Sequence, residues 1–242
     1  MVQNTSNAMR FINAYNQIEQ ALKIQNNLKN SLSYTEVIRV SARNNSIVRK
    51  YEDDLIDYGR LRNSIVHSSN ENHVIAEPHD EVVDEYEKIM RIICTPPLAV
   101  NTVCVKEVQS VESKTPLREV LIMMHKTHFS NFPVYNEKGM LVGVANSGKL
   151  AYHLGQKMYN KENLDEVMDT PIGNIVQISA QDSYYAIIDK KVTLDKVLNL
   201  FAENRKLLVI LITPNGNLLE YPEGIITVSD ILDINKILDN YQ

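Results

Sequence analysis

The sequence predicts an N-terminal helical bundle followed by a mixed α/β region that is built from two similar units. Three observations support this fold class. Apolar residues recur every three to four positions in the first part of the chain, a proline pair interrupts that pattern at 96–97, and one order of motifs then occurs twice. We place the domains at residues 1–95 and 96–242, with the two units at about 98–158 and 164–242.

Composition narrows the classes of protein. The chain has 242 residues, of which 44% are hydrophobic, so it can bury real cores. Its formal charge of −5 argues against broad nucleic-acid binding, although a local basic site could still contact RNA. The start, "MVQNTSNAMR", lacks a secretion signal, and the most apolar run, "LLVILIT", is too short to span a bilayer. We therefore expect a cytoplasmic protein that has no membrane partner.

Cysteine and histidine spacing predicts no metal site. Cys94 and Cys104 have neither metal-ligand spacing nor a CxxC arrangement. The histidines have no ligand-type partner at a useful distance along the chain. We expect both cysteines to be small apolar residues in the interior, with no bridge between them.

The helical bundle is predicted element by element. Apolar residues at helical spacing predict a first helix over residues 7–28. "SYTE", Ser33 to Glu36, has the spacing of a capping box that begins a second helix. A third helix should run from Asp54 to about His67, and a fourth should begin near Pro78 and end near Ile93. Because consecutive prolines cannot continue a helix, "CTPPLAVN" marks the domain boundary.

The α/β region contains an internal repeat. Both copies have a helix opened by Thr or Pro followed by Leu, a buried strand, a glycine turn, and a strand that ends in Gly and two apolar residues. Pro116 aligns with Thr193, and Gly139 aligns with Gly216 at the same offset. Neither copy could bury its sheet face alone, so the two should form one pseudo-symmetric body.

This repeat resembles a tandem pair of cystathionine-β-synthase (CBS) domains, a Bateman module. The resemblance rests on "FPVYNEKGMLVGV", on "VMDTP" at Val167 to Pro171, and on "GIITVSDIL" at Gly224 to Leu232. It implies a regulatory adenine nucleotide, which could be ATP, ADP, AMP or a cyclic dinucleotide, bound in the cleft between the units. It also implies a homodimer.

The residues of "GIITVSD" support a nucleotide site on physical grounds. A strand delivers Thr227, and the next turn places Asp230 at a helix start, so a hydroxyl and a carboxylate could receive a ribose diol. The alternative is that these residues only cap the last helix. The apolar walls around the base are predicted at Tyr185, Ala186, Ile187, Val209, Ile210 and Ile226, and the phosphate partner is predicted at Arg205 or Lys206.

The first repeat differs at the matching positions. Asn146 stands where threonine is expected, and Lys149 stands where the aspartate is expected. A lysine ammonium cannot accept hydrogen bonds from ribose hydroxyls. This site is therefore either empty or turned to phosphate recognition by Lys149.

The helix around "DYGRLRNSIVHSS" carries a second candidate site. "LRNSIVH" resembles the Arg-x4-His signature of the HEPN superfamily, which includes metal-independent ribonucleases and silent binding domains, over about residues 5–94. The resemblance implies that Arg62, Asn63 and His67 of two chains form a composite site, and that catalysis needs no cofactor. The alternative is that the arginines pair with nearby surface acids and His67 caps the helix end.

Two functions follow, and the sequence leaves both open. One is a homodimeric HEPN-type endoribonuclease that an adenine nucleotide regulates through the CBS pair. The other is a non-enzymatic nucleotide sensor whose helical domain only dimerises or binds a partner.

Overall fold

The computed structural model describes residues 6–67, 77–104, 107–179 and 184–241, without the side chains of His67 and residues 177–179. Two compact units divide the chain. The first, here called the helical unit, comprises Met1–Pro97, Thr193–Asn199 and Asp233–Gln242. The second, the sheet unit, comprises Leu98–Val192 and Leu200–Leu232. Within the described residues, none of the helices combines the length and the apolar character that crossing a bilayer requires.

The helical unit contains the helices of the N-terminal part of the chain. Their bounds are α1 Asn7–Gln25, α2 Tyr34–Ala42, α3 Ser46–Lys50, α4 Glu52–His67 and α5 Asp80–Cys94. Ser33 begins α2 through the predicted capping box, because its backbone N–H donates to the Glu36 carboxylate at 2.8 Å. The short helix α3 was not predicted. It begins where the Asn45 side chain accepts hydrogen bonds from the backbone N–H groups of Ile47 and Val48.

Aromatic rings fill the core of the helical unit. The hydroxyls of Tyr34 and Tyr86 are hydrogen-bonded at 3.0 Å, and the rings of Tyr15 and Tyr34 stack with centroids 4.2 Å apart. Gly59 makes room for this packing, because a Cβ there would lie 2.9 Å from the Tyr34 ring. Arg10 of α1 forms ion pairs with Asp84 and Glu87 of α5, which joins the two helices at the unit's surface.

The remaining elements follow the predicted double order. Those of the first repeat are β1 Val111–Glu112, α6 Leu117–Thr127, β2 Asn131–Tyr135, β3 Leu141–Asn146 and α7 Ser147–Tyr159. Two connecting helices follow, α8 Leu164–Met168 and α9 Ile172–Ser179. Those of the second repeat are β4 Tyr185–Asp189, α10 Leu194–Glu203, β5 Val209–Thr213, β6 Gly224–Thr227 and α11 Ile231–Asp239.

Both repeats build the same three-stranded sheet. The order is β1-β2-β3 in one and β4-β5-β6 in the other, with the first pair parallel and the second pair antiparallel. The aligned glycines support this equivalence, since Gly139 has a φ of +70° and Gly216 a φ of +72° in the turns between the last two strands. Side chains of both repeats share one buried cluster, which contains Tyr135, Leu141, Val144, Tyr184, Val209, Leu211 and Ile225.

Candidate functional site

A cavity of about 390 Å³ lies in the sheet unit, among the ends of strands from both repeats. We call it the Asp230 cavity. Its size is within the usual range of small-molecule sites. Its lining residues are Glu107, Val108, Gln109, His128, Phe129, Ser130, Asn131, Asn146, Leu208, Ile225, Thr227, Val228, Ser229 and Asp230.

The polar end of the cavity is the turn between β6 and α11. Thr227 ends the strand, and a single 3-10 turn, Val228–Asp230, leads into the helix. Asp230 Oδ2 accepts hydrogen bonds from the Thr227 backbone N–H at 2.6 Å and from its hydroxyl at 3.0 Å. The capping alternative is therefore present in the structure. It holds the carboxylate and the hydroxyl side by side, half exposed, in the cavity wall.

The other walls are apolar, with an amide pair beside them. Val108, Phe129, Leu208 and Ile225 contribute hydrocarbon surface, and the Phe129 ring is 38% exposed. Such a ring can stack on a flat heterocycle. Asn146 donates to Asn131 Oδ1 at 2.7 Å and accepts from the Lys149 backbone N–H, so its orientation is fixed. The cavity thus combines a flat apolar region with a hydroxyl and a carboxylate.

The structure brings only some of the predicted binding residues to this cavity. Thr227 and Asp230 line it. Arg205 is exposed and lies outside the lining. The other predicted contacts, Tyr185, Ala186 and Ile187 on β4 and the fully buried Val209, Ile210 and Ile226, also lie outside it.

Strand alternation accounts for part of this difference, at Ile210 and Ile226. Val209 pairs with Thr227 in the ladder and shares its face, but it is fully buried. Successive side chains of a strand point to opposite faces, so the neighbour that shares a face with Thr227 is Ile225, two residues earlier. Ile225 lines the cavity, whereas Ile226 points into the core. The sequence contained this signal.

His128 and Phe129 also line the cavity, which no pattern in the sequence indicates. They follow α6, where His128 adopts a left-handed φ of +59°.

The predicted catalytic residues lie on α4 in the helical unit. The Arg62 guanidinium carbon is 4.9 Å from the Tyr15 ring centroid, and Arg62 Nε is buried without a hydrogen-bond partner. Arg62 Nη1 donates to the exposed Asn63 at 3.3 Å. His67 ends the helix, but its side chain lies outside the described residues. The structure therefore brings Arg62 beside Asn63 and leaves the role of His67 a prediction.

No cluster that could hold a metal ion occurs among the residues that the structure describes. Burial raises the pKa of the Cys94 thiol, which favours the uncharged form.

Comparison with known families identifies one part of the chain. Residues 100–155 match the CBS domain family. This match covers the first repeat, from the segment before β1 into α7. The second repeat has the same strand order and pairing, so the chain contains a second unit that is built like the first. No curated protein matches the chain.

Several solved structures have a similar arrangement. One is the CBS domain pair of protein MJ0100 in complex with 5'-methylthioadenosine and S-adenosyl-L-methionine, at 19% identity over 58% of this chain and 97% of that one, with a TM-score of 0.42. Another is CBSX2 in complex with AMP, at 13% identity over 60% and 99%, with a TM-score of 0.45. A third is the CBS domain of a bacterial CNNM/CorC family Mg²⁺ transporter in complex with ATP, at 17% identity over 62% and 96%, with a TM-score of 0.44. All three TM-scores are below 0.5, so the CBS assignment rests on the family match and covers residues 100–155.

Proposed function

We propose that the chain is a non-enzymatic sensor that binds an adenine nucleotide in the Asp230 cavity. The observation that carries this proposal is the pairing of the Thr227 hydroxyl with the Asp230 carboxylate at the polar end of an otherwise apolar cavity. A carboxylate accepts hydrogen bonds from both hydroxyls of a ribose, and the apolar wall suits a purine. The CBS family match in the first repeat supports the same class of ligand.

In this proposal, each side of the cavity has a role. Phe129, Leu208 and Ile225 surround the base, and Asp230 receives the ribose hydroxyls. Asp230 uses Oδ2 to cap the turn before α11, so ligand binding and the start of that helix share one carboxylate. A bound ribose would therefore change the hydrogen bonding at the start of α11.

Calorimetry with AMP, ADP and ATP tests this assignment. Asp230→Ala should weaken binding by about 1.5–3 kcal/mol, roughly 10–150-fold, because a charge-assisted hydrogen bond is lost. Asp233→Ala is the matched control, since Asp233 is an exposed acid on α11 that pairs with Lys236 and lies outside the cavity lining. Equal affinity in both variants, with melting curves like that of the wild type, would place the nucleotide elsewhere.

Cleavage of RNA by Arg62, Asn63 and His67 in a homodimer stays a separate prediction. It has less support, because the family match lies outside residues 1–95 and Arg62 stacks on Tyr15 within its own chain. Labelled RNA incubated with the protein in EDTA tests it. Arg62→Ala should abolish any cleavage, whereas Arg60→Ala, which removes an exposed ion pair with Asp57, should not. Light scattering at micromolar concentration tests the homodimer.

A further inference from the structure

The two repeats can be matched through their strand ladders. In the antiparallel pairs, Asn131 faces Asn146 in the first repeat as Val209 faces Thr227 in the second. In the parallel pairs, Val111 faces Val134 as Ile188 faces Ile212. Within the ladders, Val144 corresponds to Ile225. Counting onward at the same offsets beyond the strand ends pairs Lys149 with Asp230 and Glu107 with Tyr184.

This matching locates a counterpart of the Asp230 cavity. Because Ile225 and Asp230 line the open cavity, the counterpart lies beside Val144 and Lys149. We call it the Tyr184 cleft and define it by Val144, Lys149 and Tyr184. Tyr184 is only 1% exposed, and its hydroxyl donates a hydrogen bond to the backbone carbonyl of Val144. The Lys149 ammonium lies 5.2 Å from the centroid of the Tyr184 ring. The buried ring therefore fills this cleft.

At the Asp230 cavity, the residue that corresponds to Tyr184 is Glu107. Glu107 is exposed and belongs to the cavity lining. A glutamate in water does not leave solvent to fill an apolar cleft, because burying an unpaired carboxylate is costly. An aromatic ring gains free energy by the same burial. Glu107 against Tyr184 is therefore one difference between the open cavity and the filled cleft.

We propose that Tyr184 closes the first-repeat nucleotide site, so that each chain binds one nucleotide at the Asp230 cavity and none at the Tyr184 cleft. The stoichiometry rests on the proposed function. The closure itself rests on the contacts of Tyr184. The phenol is a flat ring with an O–H donor directed at a backbone carbonyl, and adenine likewise is a flat ring with an N–H donor. Tyr184 thus makes the kind of contacts that a purine would make there.

The cleft also has a distinct ligand preference once it is opened. Lys149 occupies the position that corresponds to Asp230, and an ammonium donates hydrogen bonds but accepts none. It suits a phosphate and not a ribose diol. An opened cleft should therefore bind AMP more tightly than adenosine, which lacks the phosphate.

Titration calorimetry with AMP tests the closure. The wild type should bind one AMP per chain, and Tyr184→Phe, which keeps the ring, should also bind one. Tyr184→Ala should bind a second AMP, and adding Lys149→Ala should remove that second event. Tyr184→Ala combined with Asp230→Ala should bind AMP at the opened cleft, with the event at the Asp230 cavity weakened as in Asp230→Ala alone.

The outcomes separate this proposal from the proposed function. Two AMP molecules per wild-type chain would overturn the closure, as would a folded Tyr184→Ala protein that gains no AMP site. If Tyr184→Ala fails to fold, the stoichiometries of the wild type and Tyr184→Phe decide, one supporting the closure and two overturning it. A wild type that binds no AMP, with a Tyr184→Ala protein that binds one, would contradict the sensor function and still support the closure by Tyr184.

Discussion

The two repeats share a backbone but differ at the ends of their strands. In the second repeat, Thr227 and Asp230 line an open cavity. In the first repeat, Asn146 stands at the ladder position of Thr227, and Lys149 stands three residues later, where Asp230 stands in the second. Asn146 caps α7 just as Thr227 caps the turn before α11, so the structural role is kept while the chemistry changes. The fold thus provides two equivalent places, and on the proposed function a few side chains decide which one binds the nucleotide.

The largest expected effect concerns stability at the two matched positions, 107 and 184. Tyr184→Ala should lower the free energy of unfolding by about 3–5 kcal/mol, because a buried aromatic ring leaves a cavity. Glu107→Ala, at the exposed counterpart, should change it by no more than about 0.5 kcal/mol. Urea denaturation measures both. Similar costs for the two variants would mean that the sites are not packed differently.

The second effect is smaller, and it is the difference in stability between alanine variants at the two turn glycines. Gly139 and Gly216 both have positive φ, so alanine at either position should cost about 1–2 kcal/mol of folding free energy. A Cβ on Gly216 would also lie 3.2 Å from the Asp189 backbone nitrogen, whereas a Cβ on Gly139 would meet nothing within 4 Å.

Thermal melts of Gly216→Ala and Gly139→Ala measure this difference. The melting temperature should fall further for Gly216→Ala. A larger fall for Gly139→Ala would show that the turn at Gly216 shifts to accommodate the added Cβ.

The smallest effect is a pH dependence that belongs to the first repeat. Burial, and then the nearby Lys157 ammonium, lowers the pKa of His153 on α7, while Glu162 opposes the shift. The unfolded chain therefore binds this proton more readily. The contribution of His153 to the free energy of unfolding is complete above the unfolded pKa of about 6.5, and it is lost as the pH falls below that value.

His153→Gln isolates this contribution. Between pH 8 and about 5.5 the wild type should lose slightly more stability than the variant, as measured by urea denaturation. The helix that corresponds to α7 in the second repeat, α11, has the sequence "ILDINKILD" and contains no histidine. It therefore adds no similar pH dependence to the free energy of unfolding. Parallel pH profiles for wild type and variant would contradict the assignment.

Local signals predicted much of the fold. The Ser33 to Glu36 spacing predicted a capping box that the structure contains, and the aligned glycines predicted two equivalent turns. The helix at Ser46–Lys50 was missed because it is a single turn that depends on the Asn45 side chain. Its apolar period is too short to recognise.

The candidate site was less predictable, for physical reasons. The placement of Thr227 and Asp230 at one cavity follows from the sequence because the strand, the turn and the helix start are neighbours in sequence; their binding role stays a prediction. Alternation from Thr227 leads to Ile225 as the wall residue, in place of the predicted Ile226. The closure by Tyr184 could not be found locally, because Tyr184 bonds Val144, which is distant in sequence, and the contact exists only once both sheets are packed.

A crystal structure of the protein grown with AMP tests the central claim most directly. We predict one nucleotide per chain, with the base against Phe129 and Ile225, the ribose hydroxyls on Asp230, and the Tyr184 hydroxyl still bonded to Val144. A nucleotide beside Lys149 with the Tyr184 ring displaced, and an empty Asp230 cavity, would contradict the account.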